Sequence, residues 1–177
     1  RLYRFKLLVD AMSFKNSIIF DDVEFKLSGK PVSVGDPSPD FELVTYTRGD
    51  TEAYTLNLDG LLRIGLPTLV SVITSVDTPV GKIQTKKFND FLIPYKDKAL
   101  SLCVSSDLPF NLNRFFEEEK ISNLVGCSDY NRRFGKNWGV MIKVPGILAR
   151  AVFVIDHNGL VQHAEVVKVI RNEPDYG

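Results

Sequence analysis

The chain has 177 residues, 44% hydrophobic and 25% charged, which is enough for one domain burying about two-thirds of its unfolded surface. Its 22 Lys and Arg balance 22 Asp and Glu, so no long-range field draws nucleic acid or an anionic membrane. No apolar run approaches the roughly 20 residues of a spanning helix. Two cysteines with no CxxC, and two histidines, argue against a zinc site or a disulfide framework, so neither metal nor cofactor is expected.

Residues 1–22 are expected to form an N-terminal extension and 23–177 one domain. The apolar pattern of the extension (Leu2, Phe5, Leu7, Leu8, Met12, Phe14, Ile18, Ile19) fits an amphipathic arm, packed on its own domain or on a partner. The opening Arg1 to Leu8 is basic and apolar. It is read as the remainder of a removed presequence or as a cloning boundary, which keeps an organelle and a bacterial cytoplasm or periplasm as expected settings.

Val23 to Leu27 and Pro31 to Val34 alternate around Ser28-Gly29-Lys30 and predict a β-hairpin. Phe41 to Tyr46 predicts a strand. Thr55 to Leu58 predicts a short strand or turn leading into Leu61-Leu62. Leu66 to Thr74 is apolar on both faces, as at the centre of a parallel sheet.

Ser75-Val-Asp-Thr-Pro-Val-Gly81 follows as a short polar turn. Thr78 is placed to cap a helix and Pro79 to occupy its first position, where the missing N–H does no harm. Val80, Ile83, Phe88, Phe91 and Leu92 are expected to form that helix's inward stripe. Ala99 to Ser105 predicts a second buried strand, and Asp107 to Phe116 a second helix ending in Glu117-Glu118-Glu119, a solvated exit. Asn123 to Cys127 predicts a short strand and Tyr130 to Trp138 a short helix. Leu148 to Asp156 and Leu160 to Ile170 flank His157-Asn158-Gly159, a hairpin turn. His157 and His163 are expected to face solvent. A βαβ unit joined to antiparallel strands gives an α/β fold with a mixed central sheet flanked by helices.

Seven words occur in this order along the chain: Gly29-Lys-Pro-Val-Ser-Val-Gly-Asp, Pro39-Asp-Phe-Glu-Leu-Val, Ser75-Val-Asp-Thr, Lys87-Phe-Asn, Leu102-Cys-Val-Ser-Ser-Asp-Leu-Pro-Phe, Ile147-Leu-Ala-Arg-Ala-Val-Phe-Val-Ile-Asp and Asn172-Glu-Pro-Asp-Tyr. Over about residues 23–176 the chain therefore resembles the thiol peroxidases, the atypical two-cysteine peroxiredoxins. The resemblance implies a thioredoxin-like fold with an N-terminal β-hairpin. It also implies commonly a homodimer.

Gly81 matches the position of the family's peroxide-attacking cysteine. Thr78 matches the threonine that hydrogen-bonds thiolate and peroxide, and Arg150 the arginine that lowers the thiol pKa. Phe116 stands at the family's resolving cysteine, after Arg114 and Phe115. Pro79 replaces a usual glycine and Thr74 a usual proline, and the family's C-terminal helix after Asp175-Tyr176 is expected to be missing. Thr78, Gly81 and Arg150 are thus expected to frame a relict pocket.

A glycine offers no nucleophile, whereas a cysteine in the first turn of a helix has its thiolate stabilised by free N–H groups and a nearby cation. The expected function is a catalytically inactive thiol-peroxidase-like protein, a structural or interaction subunit with protein partners, in a larger assembly or a homodimer. One alternative is a residual thiol enzyme using Cys127 or Cys103. Cys103 reads as a buried strand residue and Cys127 as the better candidate for a surface thiol. The other alternative is a small-anion-binding or sensor domain using Thr78, the N–H groups around Gly81 and Arg150.

Overall fold

The computed structural model describes residues 16–46 and 52–176. Among these, a seven-stranded sheet runs β11-β10-β5-β6-β7-β3-β4. Its strands are β3 (Glu42–Tyr46), β4 (Ala53–Asn57), β5 (Thr68–Val72), β6 (Leu100–Ser105), β7 (Val125–Ser128), β10 (Ala151–Ile155) and β11 (Val161–Val166). The β5, β6 and β7 pairings are parallel and the others antiparallel, so the sheet is mixed, as expected. A second sheet, β1-β2-β8-β9, is built from β1 (Ser17–Phe20), β2 (Val23–Ser28), β8 (Met141–Ile142) and β9 (Ile147–Leu148). The helices are α1 (Leu58–Leu62), α2 (Pro79–Phe91), α3 (Pro109–Glu118) and α4 (Arg133–Asn137).

Side-chain alternation on β5 and β10 divides the core into two. Val70, Val72, Ala151 and Phe153 face a cluster with Ile18, Phe134, Trp138 and Leu148. Ile73 and Val152 face α2 and α3 through Phe88, Leu112 and Phe115. No helix among the described residues is long and apolar enough to cross a membrane.

The N-terminal hairpin exists but lies earlier than expected. It joins β1 to β2 through Asp21 and Asp22, both at positive φ, while Pro31 to Val34 forms no strand. A two-residue hairpin turn needs left-handed backbone at both positions, and aspartate tolerates it without the glycine that would have advertised it. The segment Ser17–Phe20, assigned to the extension, is therefore sheet, with Ile19 also bridging Val169; the arm over 1–15 lies outside the described residues.

The inward stripe of α2 also differs. Gly81, Gln84, Thr85, Phe88 and Leu92 are buried, while Ile83 and Phe91 face out. Two polar residues take inward positions because the sheet beneath offers them polar partners, described next.

Candidate functional site

Strand β5 delivers the chain into Thr74 and then the turn at Ser75. Asp107, in the loop after β6, fastens that turn. Its carboxylate accepts from Ser75 Oγ and from the Val76 N–H, each at 2.8 Å, and from Ser105 Oγ at 2.9 Å. Thr78 is the N-cap of α2, with extended backbone, and its Oγ1 accepts the Gly81 N–H at 3.1 Å. The same hydroxyl donates to the Ser75 carbonyl at 2.8 Å. These bonds satisfy a helix start that Pro79 has already relieved of one orphan donor.

The Ser75 carbonyl then decides what position 81 can hold. A Cβ built on Gly81 would lie 2.1 Å from that oxygen and 2.7 Å from Thr78 Oγ1. The obstacle is backbone, so no rotamer change relieves it. In this conformation Gly81 accepts no side chain.

Arg150 is only 2% exposed at the start of β10. Its Nη1 donates to Gln84 Oε1 at 2.6 Å and its Nε to the Ile170 carbonyl at 3.2 Å. Gln84 Nε2 in turn donates to Ser71 Oγ at 2.9 Å, which explains its inward position on α2. Burial pulls the guanidinium pKa below its ordinary value, and Tyr176 and Glu173 partly oppose this. Glu173 itself is ion-paired to Lys87 at 2.7 Å and accepts from the Tyr176 hydroxyl at 2.7 Å.

Thr78 and Arg150 meet along one cleft of about 740 Å³, with Thr74, Pro79 and Val80 beside them and an apolar wall from the second sheet. Phe116 is not part of it. Its ring lies over Gly126, which has no side chain to displace it, and edges against Phe115 at 6.0 Å. It lines a separate cleft of about 250 Å³ with Tyr46, Tyr54 and Leu112.

Neither thiol belongs to the first turn of α2, and Cys103 reaches it only through Thr85, whose hydroxyl donates to the Gly81 carbonyl at 2.8 Å. Cys103 and Cys127 are both 0% exposed, so the alternative that makes Cys127 a surface thiol finds no exposed sulfur. Burial pushes Cys103 up to about 12, against a lowering hydrogen bond with Thr85, whose hydroxyl lies 3.6 Å from the sulfur. Burial raises Cys127 further in the same direction. The register sets Cys103 opposite Gly126 and Val104 opposite Cys127. Since alternate residues point to opposite faces, Cys103 enters the helix-side core and Cys127 the other. The two sulfurs are thus separated by the sheet and form no redox pair.

The sequence reading missed Asp107 and Gln84. Asp107 sat in a quoted word without a role, and its signal was a carboxylate after Ser105-Ser106 at a strand exit. Gln84 was signalled only by its spacing, three residues beyond Gly81 on the buried face. As a chemical device the cleft offers a guanidinium and two threonine hydroxyls, and no thiol among the described residues lines it.

The Redoxin family profile matches residues 33–177. The chain is 39% identical over 150 residues to a thiol peroxidase of Streptococcus sanguinis, covering 84% of this chain and 87% of that protein. It is 36% identical over 160 residues to a thiol peroxidase of Bacillus subtilis strain 168, covering 90% and 91%. Among solved structures it is similar to a peroxiredoxin-like protein from Aquifex aeolicus, at a TM-score of 0.79 and 32% identity over 91% of both chains. A thiol peroxidase from Chromobacterium violaceum has the same TM-score at 23% identity, a likeness of fold, over 92% of this chain and 91% of that one.

Proposed function

The chain belongs to the redoxin family, with thiol peroxidases as its relatives, and from that premise we propose that it is a catalytically inactive member serving as a structural or interaction subunit. The observation that carries the reading is the closed position at Gly81, where the Ser75 carbonyl occupies the space of a Cβ. Attack on a peroxide bond needs a thiolate at a helix start beside a cation, and the two thiols of this chain are buried within strands with raised pKa values. Phe116, at the position matched to the resolving cysteine, acts as an aromatic packing residue over Gly126. The subunit half of the proposal is supported by large apolar side chains left in water at the ends of the helices. Phe91 and Tyr95 stack at 5.7 Å beside exposed Ile93, and Leu108 and Phe110 are exposed at the start of α3.

The test is peroxide consumption with a thioredoxin system or dithiothreitol as reductant, followed by stopped flow. The expected rate is that of buffer alone. Turnover abolished by Cys127→Ser or Cys103→Ser would overturn the inactive reading. Recovery of the native protein as a stoichiometric member of a larger assembly supports the subunit role, and a lone monomer at native abundance removes it.

A second reading, a small-anion-binding domain, is favoured by one specific observation. Arg150 is buried and has no carboxylate within ion-pair distance among the described residues.

A further inference from the structure

The two acceptors of Arg150, Gln84 Oε1 and the Ile170 carbonyl, are both neutral. A guanidinium that is 2% exposed with no carboxylate in ion-pair contact is costly to maintain, because burial removes hydration that the charge of Glu173 offsets only in part. Glu173, the carboxylate whose charge acts on Arg150, is already held by Lys87 and Tyr176. Nη2 of Arg150 donates no hydrogen bond among the described residues, so it remains available on a residue that lines the cleft. Thr74, 9% exposed and lining the same cleft, leaves its buried Oγ1 without a hydrogen-bond partner among the described residues. Both residues line the one cavity.

The rest of that cavity is apolar. Its wall carries Ile18, Phe25, Ile142 and Ile147 from the second sheet, and its volume of about 740 Å³ lies in the range of small-molecule sites. The other cation at the cleft, Arg171, is neutralised by Asp21, with Nε and Nη2 within 2.8 Å of the carboxylate. The site therefore offers one net positive charge, which suits a monoanion better than a dianion. A neutral head group would leave Arg150 as it stands.

We infer that this cleft binds an aliphatic monocarboxylate, with its carboxylate against Arg150 and its tail along the wall of Phe25 and Ile147, which Ile18 and Ile142 back from the core. The inference rests on the anion-binding reading above and names its ligand class. It does not depend on peroxide turnover. Guanidinium and carboxylate form charge-assisted hydrogen bonds, and the Thr74 hydroxyl, within the same lining, can donate to the second oxygen after a rotamer change. Each tail methylene removed from water tightens binding by about fourfold.

Calorimetric titration of the full chain with acetate, octanoate, decanoate and decanol tests it. Decanoate is expected to bind more tightly than octanoate, with acetate and decanol at least tenfold weaker than decanoate. Arg150→Met should weaken decanoate at least tenfold. Because that variant disturbs a buried network, Val80→Asp is the second probe. An acidic residue in the first turn of α2 favours the helix, while its carboxylate enters the cleft and competes for Arg150. It should abolish decanoate binding without lowering the melting temperature. No heat with decanoate, equal affinity for decanol, or unchanged decanoate affinity in a folded Val80→Asp protein would each overturn the inference. These outcomes leave the peroxide assay untouched, so the two readings fail separately.

Discussion

At the scale of single residues, Gly81 is where two effects of opposite sign can be weighed. Alanine is the better helix former by about 1 kcal/mol, so in an open first turn Gly81→Ala would stabilise the protein. Here the added methyl meets the Ser75 carbonyl at 2.1 Å, and forcing a group into a filled space costs about 1–3 kcal/mol. The clash wins because its partner is backbone, held by the Thr78 hydroxyl and fastened further by Asp107 on Ser75 and Val76. Gly81→Ala is therefore expected to lower stability by up to about 2 kcal/mol in urea unfolding. A stabilised variant would show that the turn opens easily. Gly81→Cys should behave like Gly81→Ala in stability and fail to restore peroxide reduction. Thr78 as the cap and Pro79 behind it were legible because a local rule fixes both. The closure of position 81 was not, since it depends on where a carbonyl six residues away comes to rest.

At the scale of elements, periodicity located the strands and helices well but assigned faces less well. In α2 the stripe drawn through Ile83 and Phe91 followed hydrophobicity, while the helix turned toward the sheet the face carrying Gln84 and Thr85. Gln84 reaches both Ser71 and Arg150, and Thr85 lies beside Cys103, so the buried polar positions are specified by partners distant in sequence. The first hairpin was displaced for a related reason, since Asp21-Asp22 is a weak turn signal that β1 and β2 pairing makes sufficient. The adjacent strands β6 and β7 carry a consequence for alkaline pH. The folded protein holds Cys103 near 12 against 9.0 for an ordinary thiol, and Cys127 is raised as well. A raised pKa favours the neutral thiol in the folded state. That contribution is complete below pH 9 and is lost as pH climbs toward 12. Each thiol then steepens the loss by up to about 1.4 kcal/mol per pH unit. The urea midpoint is expected to fall between pH 9 and 11, and Cys103→Ala should flatten the slope relative to wild type. An unchanged slope would mean that Cys103 ionises freely in the folded chain.

At the scale of the whole molecule, the hairpin β1-β2 is attached to the body both by charge and by apolar burial, and magnitudes separate the two. The ion pair Arg171–Asp21 is largely exposed and Lys168–Glu24 half-buried, and surface pairs are worth about 0–1 kcal/mol and are screened by salt. Ile18 is fully buried in the larger core cluster beneath the hairpin, and truncating a buried isoleucine to alanine costs about 2–5 kcal/mol. The same residue backs the lining of the cleft that also holds Arg150, so the hairpin helps to wall the cavity as well as completing the second sheet. If burial dominates the attachment, raising salt to about 1 M, where the screening length is about 3 Å, should leave hydrogen exchange at the Ile19 and Ile170 amides nearly unchanged. Those two amides report the seam directly, since Ile19 donates to the Lys168 carbonyl at 2.7 Å and Ile170 to the Ile19 carbonyl at 3.0 Å. Ile18→Ala should accelerate exchange at both by at least tenfold and weaken decanoate binding in the same protein. Faster exchange in high salt with no effect of Ile18→Ala would assign the seam to its ion pairs instead. It would also leave the cleft wall dependent on ionic strength, because the strands that form it would then be held to the body by charge.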